Sequence, residues 1–321
     1  MSIRSPSSIT RCTGEADGSR VQRFIVSADD GWKLDVEVRE PECPPLGIAL
    51  LGHAMMVDRR SMDRPAGEGF ASRLRAAGWR VYLLDVRGRR ASGPSPTEGG
   101  DWTYDDIVQR DLPAVLEAVR DREPGLPVVF CGHSLSGHAS IAAAGCGFYP
   151  RPPDAHVLLS VNMWNAEVER SGWVRLRKSL SLSLFRLLTL LFGRFPSRAV
   201  RMGPADEARS YVESICRFWR EGRWNSADGC HDYLAGMPGV PGPVLSLVGA
   251  GDDLLAHRDG AWAWNQEFRP KKVDFRVLGR GDLGLRFDPD HMTLVTDPRS
   301  GPVWEEIVRW MESATASLRS T

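Results

Sequence analysis

Six short strand-like runs, each closed by glycine or a polar turn, constrain this chain more than any other feature. They are GIALLG from residue 47, WRVYLLD from 79, PVVFCG from 127, AHVLLSV from 155, PVLSLVG from 243 and VDFRVLG from 273. Strands with almost no polar face must be buried on both sides, as happens in parallel sheets. Helical patterns alternate with them, and one spans roughly Tyr104 to Arg122 with Ile107, Leu112, Val115, Leu116 and Val119 as its apolar stripe. A further helix, VWEEIVRWMESATASL, closes the chain. The expected fold is therefore α/β, a mostly parallel central sheet flanked by helices. Ahead of it, RFIVSADDGWKLDVEV reads as a β-hairpin turning at Asp29-Asp30-Gly31.

The alternation stops between residues 163 and 238, which are helical in pattern and rich in Arg and Trp. This predicts a helical cap (163–238) inserted into a core made of 21–162 and 239–321. Residues 1–20 have no apolar h-region and read as a loosely held leader. The 41 basic and 41 acidic side chains balance, which gives no electrostatic reason to expect nucleic acid or an anionic membrane as partner. Cys12, Cys43, Cys131, Cys146, Cys216 and Cys230 lack metal or disulfide spacing. The expectation is a cytoplasmic protein without a metal or organic cofactor, and without stable membrane insertion.

The chemistry concentrates at Gly132-His133-Ser134-Leu135-Ser136-Gly137, where a strand runs directly into a small-residue helix. A serine in such a turn is exposed as a nucleophile, and residues two positions either side must be small. Gly132 and Ser136 meet that need. Serine needs a base, and the base needs an orienting acid. Late in the chain, Asp252 follows one strand and His291 precedes the last helix, in the order Ser, Asp, His. Asp253 is the rival acid, since a shift of one residue at a strand end reverses the side chain. The backbone N–H of Leu135, with that of Met55 or Ala54 after the first buried strand, would form an oxyanion hole. The expected pocket wall comprises His53, Met56, His133, Trp164, Leu184 and Leu188.

The order of Gly52-His53-Ala54-Met55-Met56, Asp85-Val86-Arg87-Gly88-Arg89-Arg90-Ala91-Ser92-Gly93, the serine turn, Gly251-Asp252 and Asp290-His291 resembles the α/β-hydrolase superfamily. More narrowly, it is similar to the serine hydrolases that include monoacylglycerol lipases, esterases and serine aminopeptidases. Ala54 stands where that group usually has glycine, and Arg90 replaces the second glycine of its D-x-R-G-x-G-x-S pattern. The resemblance implies acyl transfer through a covalent acyl-enzyme, without an organic cofactor. The expected partner is a small-molecule acyl substrate, an uncharged or lipophilic ester. An acyltransferase or thioesterase would use the same triad, and a non-catalytic ligand-binding member of the fold is the third reading. In the cap, Leu180, Leu184, Leu187, Leu188 and Leu191 share one helical face, expected either to pack on the domain or to roof an acyl pocket.

Overall fold

A computed structural model describes residues 21–269 and 272–318, so the leader expected over 1–20, with Cys12, lies outside the described residues. Strands β1 (Val21–Ser27) and β2 (Lys33–Arg39) form the antiparallel hairpin, with Ser27 opposite Lys33. Gly31 takes the positive φ of 83° that turns the chain between them. Six more strands follow: β3 (Ile48–Gly52), β4 (Arg80–Leu84), β5 (Val128–His133), β6 (Ala155–Leu159), β7 (Val244–Gly249) and β8 (Val273–Leu278). The sheet order is β1-β2-β4-β3-β5-β6-β7-β8. Every pair from β4 to β8 is parallel, and only β1–β2 and β2–β4 are antiparallel.

Alternate residues of the strands feed opposite faces. Ala49, Leu51, Val81, Leu83, Val129 and Cys131 pack with α1 (Phe70–Ala76) and the closing helix. Ile48, Leu50, Tyr82, Leu84, Val128 and Phe130 pack on the other side with α2 (Leu112–Arg122) and α3 (Leu135–Gly145). The expected stripe of Ile107, Leu112, Val115, Leu116 and Val119 is wholly buried. A π-helical stretch at Ile107–Asp111 leads into α2 and brings the Asp111 carboxylate onto the Arg87 guanidinium.

From β3 the chain steps to β4 on one side, whereas β5, the other neighbour of β3, leads away toward β6. Loops leaving the ends of β3 and β5 therefore diverge, and in parallel sheets that divergence opens a crevice. The serine turn follows β5 and the expected oxyanion loop follows β3, so both border it.

The segment between β6 and β7 carries two long helices, α4 (Gly172–Phe192) and α5 (Arg209–Glu221). Ser171 caps α4, its hydroxyl accepting from the Val174 N–H, and Gly193 and Gly222 close the two helices in left-handed conformation. The orientation of α4 differs from the expected one. Its inward residues are Val174, Lys178, Leu182, Phe185 and Thr189. Leu180, Leu184, Leu187 and Leu191 face solvent and Leu188 is half-buried. Two contacts fix this rotation: Lys178 Nζ donates to Glu169 at 2.6 Å with both groups buried, and the Phe185 ring lies 4.4 Å from that of Phe195.

Candidate active site

Ser134 joins β5 to α3 with φ 50° and ψ −111°, a conformation that non-glycine residues rarely hold. Crowding explains the small neighbours. A Cβ on Gly132 would stand 2.4 Å from Gly137 Cα, and one on Gly137 would stand 2.3 Å from a Val161 methyl. Ser136, the departure from glycine, fits because Gly52 faces it: a Cβ there would lie 2.4 Å from Ser136 Cβ. The Ser136 hydroxyl donates to the His53 carbonyl at 2.6 Å, tying the elbow helix to the loop after β3.

His291 and Asp252 come together from the loops after β8 and β7. His291 Nδ1 lies 2.7 Å from Asp252 Oδ2, with both residues buried. Burial works against ionised Asp252, but the His291 hydrogen bond and charge, with the Ala256 and Leu254 amides, outweigh it and hold the carboxyl below its usual range. Asp253, the rival acid, points to solvent and pairs with Arg177 at 3.2 Å. Ser134 and His291 both open on one cavity of about 200 Å³. Ser134 lines that space, and its side chain makes no capping hydrogen bond to α3.

Ala54, Met55 and Leu135 line the same cavity, Leu135 as the first residue of α3, where the helix dipole presents its positive end. The Met56 N–H is engaged elsewhere, donating to Glu207 Oε1 at 2.5 Å.

Of the expected pocket residues, Met56 and Trp164 line the cavity and four do not. His53 is fully buried behind the loop; its Nδ1 donates to the Ala54 carbonyl and its Nε2 accepts from the Val86 N–H. Burial, then the Arg89 charge, lowers it to about 4, so it is a neutral brace. His133 is turned under the site, its Nε2 donating to the His291 carbonyl at 2.9 Å. Leu184 faces solvent because α4 is rotated as described, and Leu188 packs partly buried against the core.

Several lining residues were not anticipated. His138, one turn after Ser134 on the same face of α3, lines the cavity and bonds the Tyr104 hydroxyl at 2.9 Å. Its spacing of four from the serine was the available signal. Burial, with the His291 charge, lowers it to about 3. Leu182 and Phe185 of α4, with Tyr211, Val212 and Ile215 of α5, form the roof. Asn162 lines the wall, and neither of its amide atoms has a partner among the described residues. No Asp, Glu, Lys or Arg is among the lining residues.

The chain's similarities agree with this architecture. The family model described as serine aminopeptidase, S33, matches residues 66–261, more than half of the 321. Triacylglycerol lipase 2 of Arabidopsis thaliana is 29% identical over 147 residues, a match covering 40% of this chain and 35% of that lipase's length. Among solved structures, the Pyrococcus furiosus esterase superposes with a TM-score of 0.62 at 14% identity, covering 95% of this chain and 96% of its own. A carboxyl esterase of Bacillus coagulans in complex with glycerol gives 0.61 at 15%, covering 92% and 98%. The monoacylglycerol lipase of Paleococcus ferrophilus gives 0.56 at 16%, covering 92% and 99%. At these identities the structures speak for the fold, an α/β-hydrolase fold. Taken with the strained serine between β5 and α3, the extent of the family match establishes that this chain belongs to the serine aminopeptidase S33 family of α/β hydrolases.

Proposed function

We propose that the protein is a serine esterase acting on uncharged, largely apolar carboxylic esters. The observation that carries the reading is that His291, bonded to Asp252, lines with Ser134 a cavity whose described lining holds no Asp, Glu, Lys or Arg. An aminopeptidase substrate brings an ammonium group, and burying that charge without a carboxylate partner is costly. A neutral ester needs no such partner, which favours it within a family named for peptidases.

In this reading Ser134 Oγ attacks the ester carbonyl carbon while its proton passes to His291 Nε2, and the carbonyl electrons move onto oxygen. The amides of Leu135 and Met55 (or Ala54) hold that oxyanion. Collapse expels the alcohol, which takes the proton from His291 and leaves an acyl group on Ser134. Water then repeats the sequence and releases the acid. Asp252 keeps the imidazole oriented and stabilises its protonated form throughout.

The test pairs a fluorophosphonate probe with matched substrates. Wild-type protein should label and Ser134→Ala should not, with kcat for a p-nitrophenyl ester falling by about five orders of magnitude or more, by comparison with subtilisin. Medium-chain p-nitrophenyl esters should outperform aminoacyl p-nitroanilides. Folded wild type that resists the probe, or that prefers the anilides, would overturn the reading.

A further inference from the structure

The outward side of α4 is unlike the rest of the surface. Trp173, Leu176, Leu180, Leu184, Leu187 and Leu191 recur every three or four residues and are between 49% and 68% exposed. They form one straight stripe, opposite the Leu182 and Phe185 side that roofs the cavity. A helix of 21 residues is roughly 30 Å long and 10 Å wide, so the stripe covers on the order of 300 Å². Single exposed leucines need no explanation, but a continuous row does.

Charge identifies what the row meets. From Arg170 to Ala205 the chain contains no Asp or Glu, yet it carries seven arginines and Lys178. Arg177 and Arg194 are taken up by Asp253 and Asp206, Lys178 by Glu169, and Arg170 lies over the Trp262 ring. Arg175, Arg186, Arg198 and Arg201 are exposed and make no ion pair among the described residues. A helix with arginines beside a Trp- and Leu-rich face is built to lie in the plane of an interface. We infer that the outward face of α4 docks the enzyme on an anionic lipid surface.

Met202, in the same acid-free segment, is 49% exposed and also lines the cavity, so apolar surface reaches the cavity mouth. Docking is peripheral: among the described residues no helix is long and apolar enough to cross a membrane. A second copy of the chain fits the face less well. The stripe offers roughly 300 Å² where a stable partner interface takes about 800 Å² a side, and a two-fold contact would set the unpaired arginines against each other.

The experiment uses the full chain as Ser134→Ala, so that its outcome is independent of the esterase reading, with vesicles of phosphatidylcholine alone or with added phosphatidylglycerol. Ser134→Ala should co-sediment with the phosphatidylglycerol vesicles, bind phosphatidylcholine alone at least about tenfold more weakly, and release as salt rises. Adding L180S/L184S/L187S should weaken binding at least about tenfold, with the thermal midpoint kept, because all three side chains are exposed. Adding R175Q/R186Q/R198Q, which leaves the apolar row intact, should erase the preference for phosphatidylglycerol. The inference is overturned if neither vesicle binds, if both bind equally, or if the leucine variant binds as tightly as its parent. It is equally overturned if sedimentation velocity finds a dimer that the leucine changes dissolve, since the face then belongs to a second copy.

Discussion

Met56 is held at both of its backbone groups by one short stretch of the cap. Its N–H donates to Glu207 Oε1, and its carbonyl accepts from the Ala205 N–H at 3.0 Å. Its φ of 62° lies in the left-handed region, and a Cβ on Gly203 would stand 2.3 Å from its carbonyl oxygen. Glu207 is completely buried and also takes a hydrogen bond from the Arg89 guanidinium. The loop that carries Met55 is thus clamped from the segment between β6 and β7, and under the proposed mechanism Glu207 is a positioning residue. Glu207→Ala should lower kcat by roughly tenfold to a hundredfold, less than outright loss of an oxyanion donor, with KM little changed. Glu207→Gln, which still accepts from Met56, should recover most of kcat while losing about 3 kcal/mol of stability from the broken ion pair. Steady-state kinetics beside urea unfolding separates the two effects, and equal kcat loss in both variants would refute the clamp. Nothing in the local sequence marked Glu207, which lies 151 positions from its partner. By contrast the placement of Ser134, Asp252 and His291 in loops after β5, β7 and β8 was readable, because each follows a recognisable strand. Arg90, noted as a replacement for glycine, does adopt the left-handed φ of 49° that glycine would take without strain.

At the level of elements, the strands were legible because burial on both faces leaves no polar alternation to misread. The cap helix was not. Leucine occupies so much of the circumference of α4 that the sequence names no single inward direction, and the choice falls to partners distant in the chain, Glu169 and Phe195. The expected roof residues Leu184 and Leu188 consequently lie off the cavity, whereas Leu182 and Phe185 line it. This makes a contrast within one helix. Leu182→Ala and Phe185→Ala should enlarge the acyl space and shift the best p-nitrophenyl ester toward longer chains. One methylene in an apolar pocket is worth about 1–3 kcal/mol, so kcat/KM ratios between neighbouring chain lengths should move by about tenfold. Leu184→Ala, on the outward side, should leave the chain-length profile unchanged. A profile that shifts with Leu184 and not with Leu182 would mean that the roof is built from the other face.

For the molecule as a whole, the balanced charge count concealed two kinds of segregation. One is the acid-free segment of the cap. The other lies inside, where four histidines, His53, His133, His138 and His156, are wholly or almost wholly buried. Burial, the first cause in each, pushes His53 down to about 4 and the other three to about 3. His156 makes the cause plain, since neither ring nitrogen has a partner among the described residues. In the unfolded chain all four return to about 6.5. Between the folded and unfolded values the unfolded state binds more protons, so stability must fall as pH falls below about 6.5. From pH 6.5 to 5.5 each histidine removes about 1 kcal/mol, together about 4 kcal/mol. The buried carboxyls Asp85 and Asp111 are raised by burial to about 7 and about 6, and they bind protons in the folded state over the same interval. They run in the opposite sense and offset about half of that loss. The net expectation is a decrease of about 2 kcal/mol between pH 6.5 and 5.5, read as a lower urea midpoint at unchanged slope. Replacing His156 by Gln should flatten that dependence by roughly a quarter of the histidine contribution, about 1 kcal/mol. A urea midpoint that stays constant or rises on acidification through this interval would show that these imidazoles are not held neutral in the core.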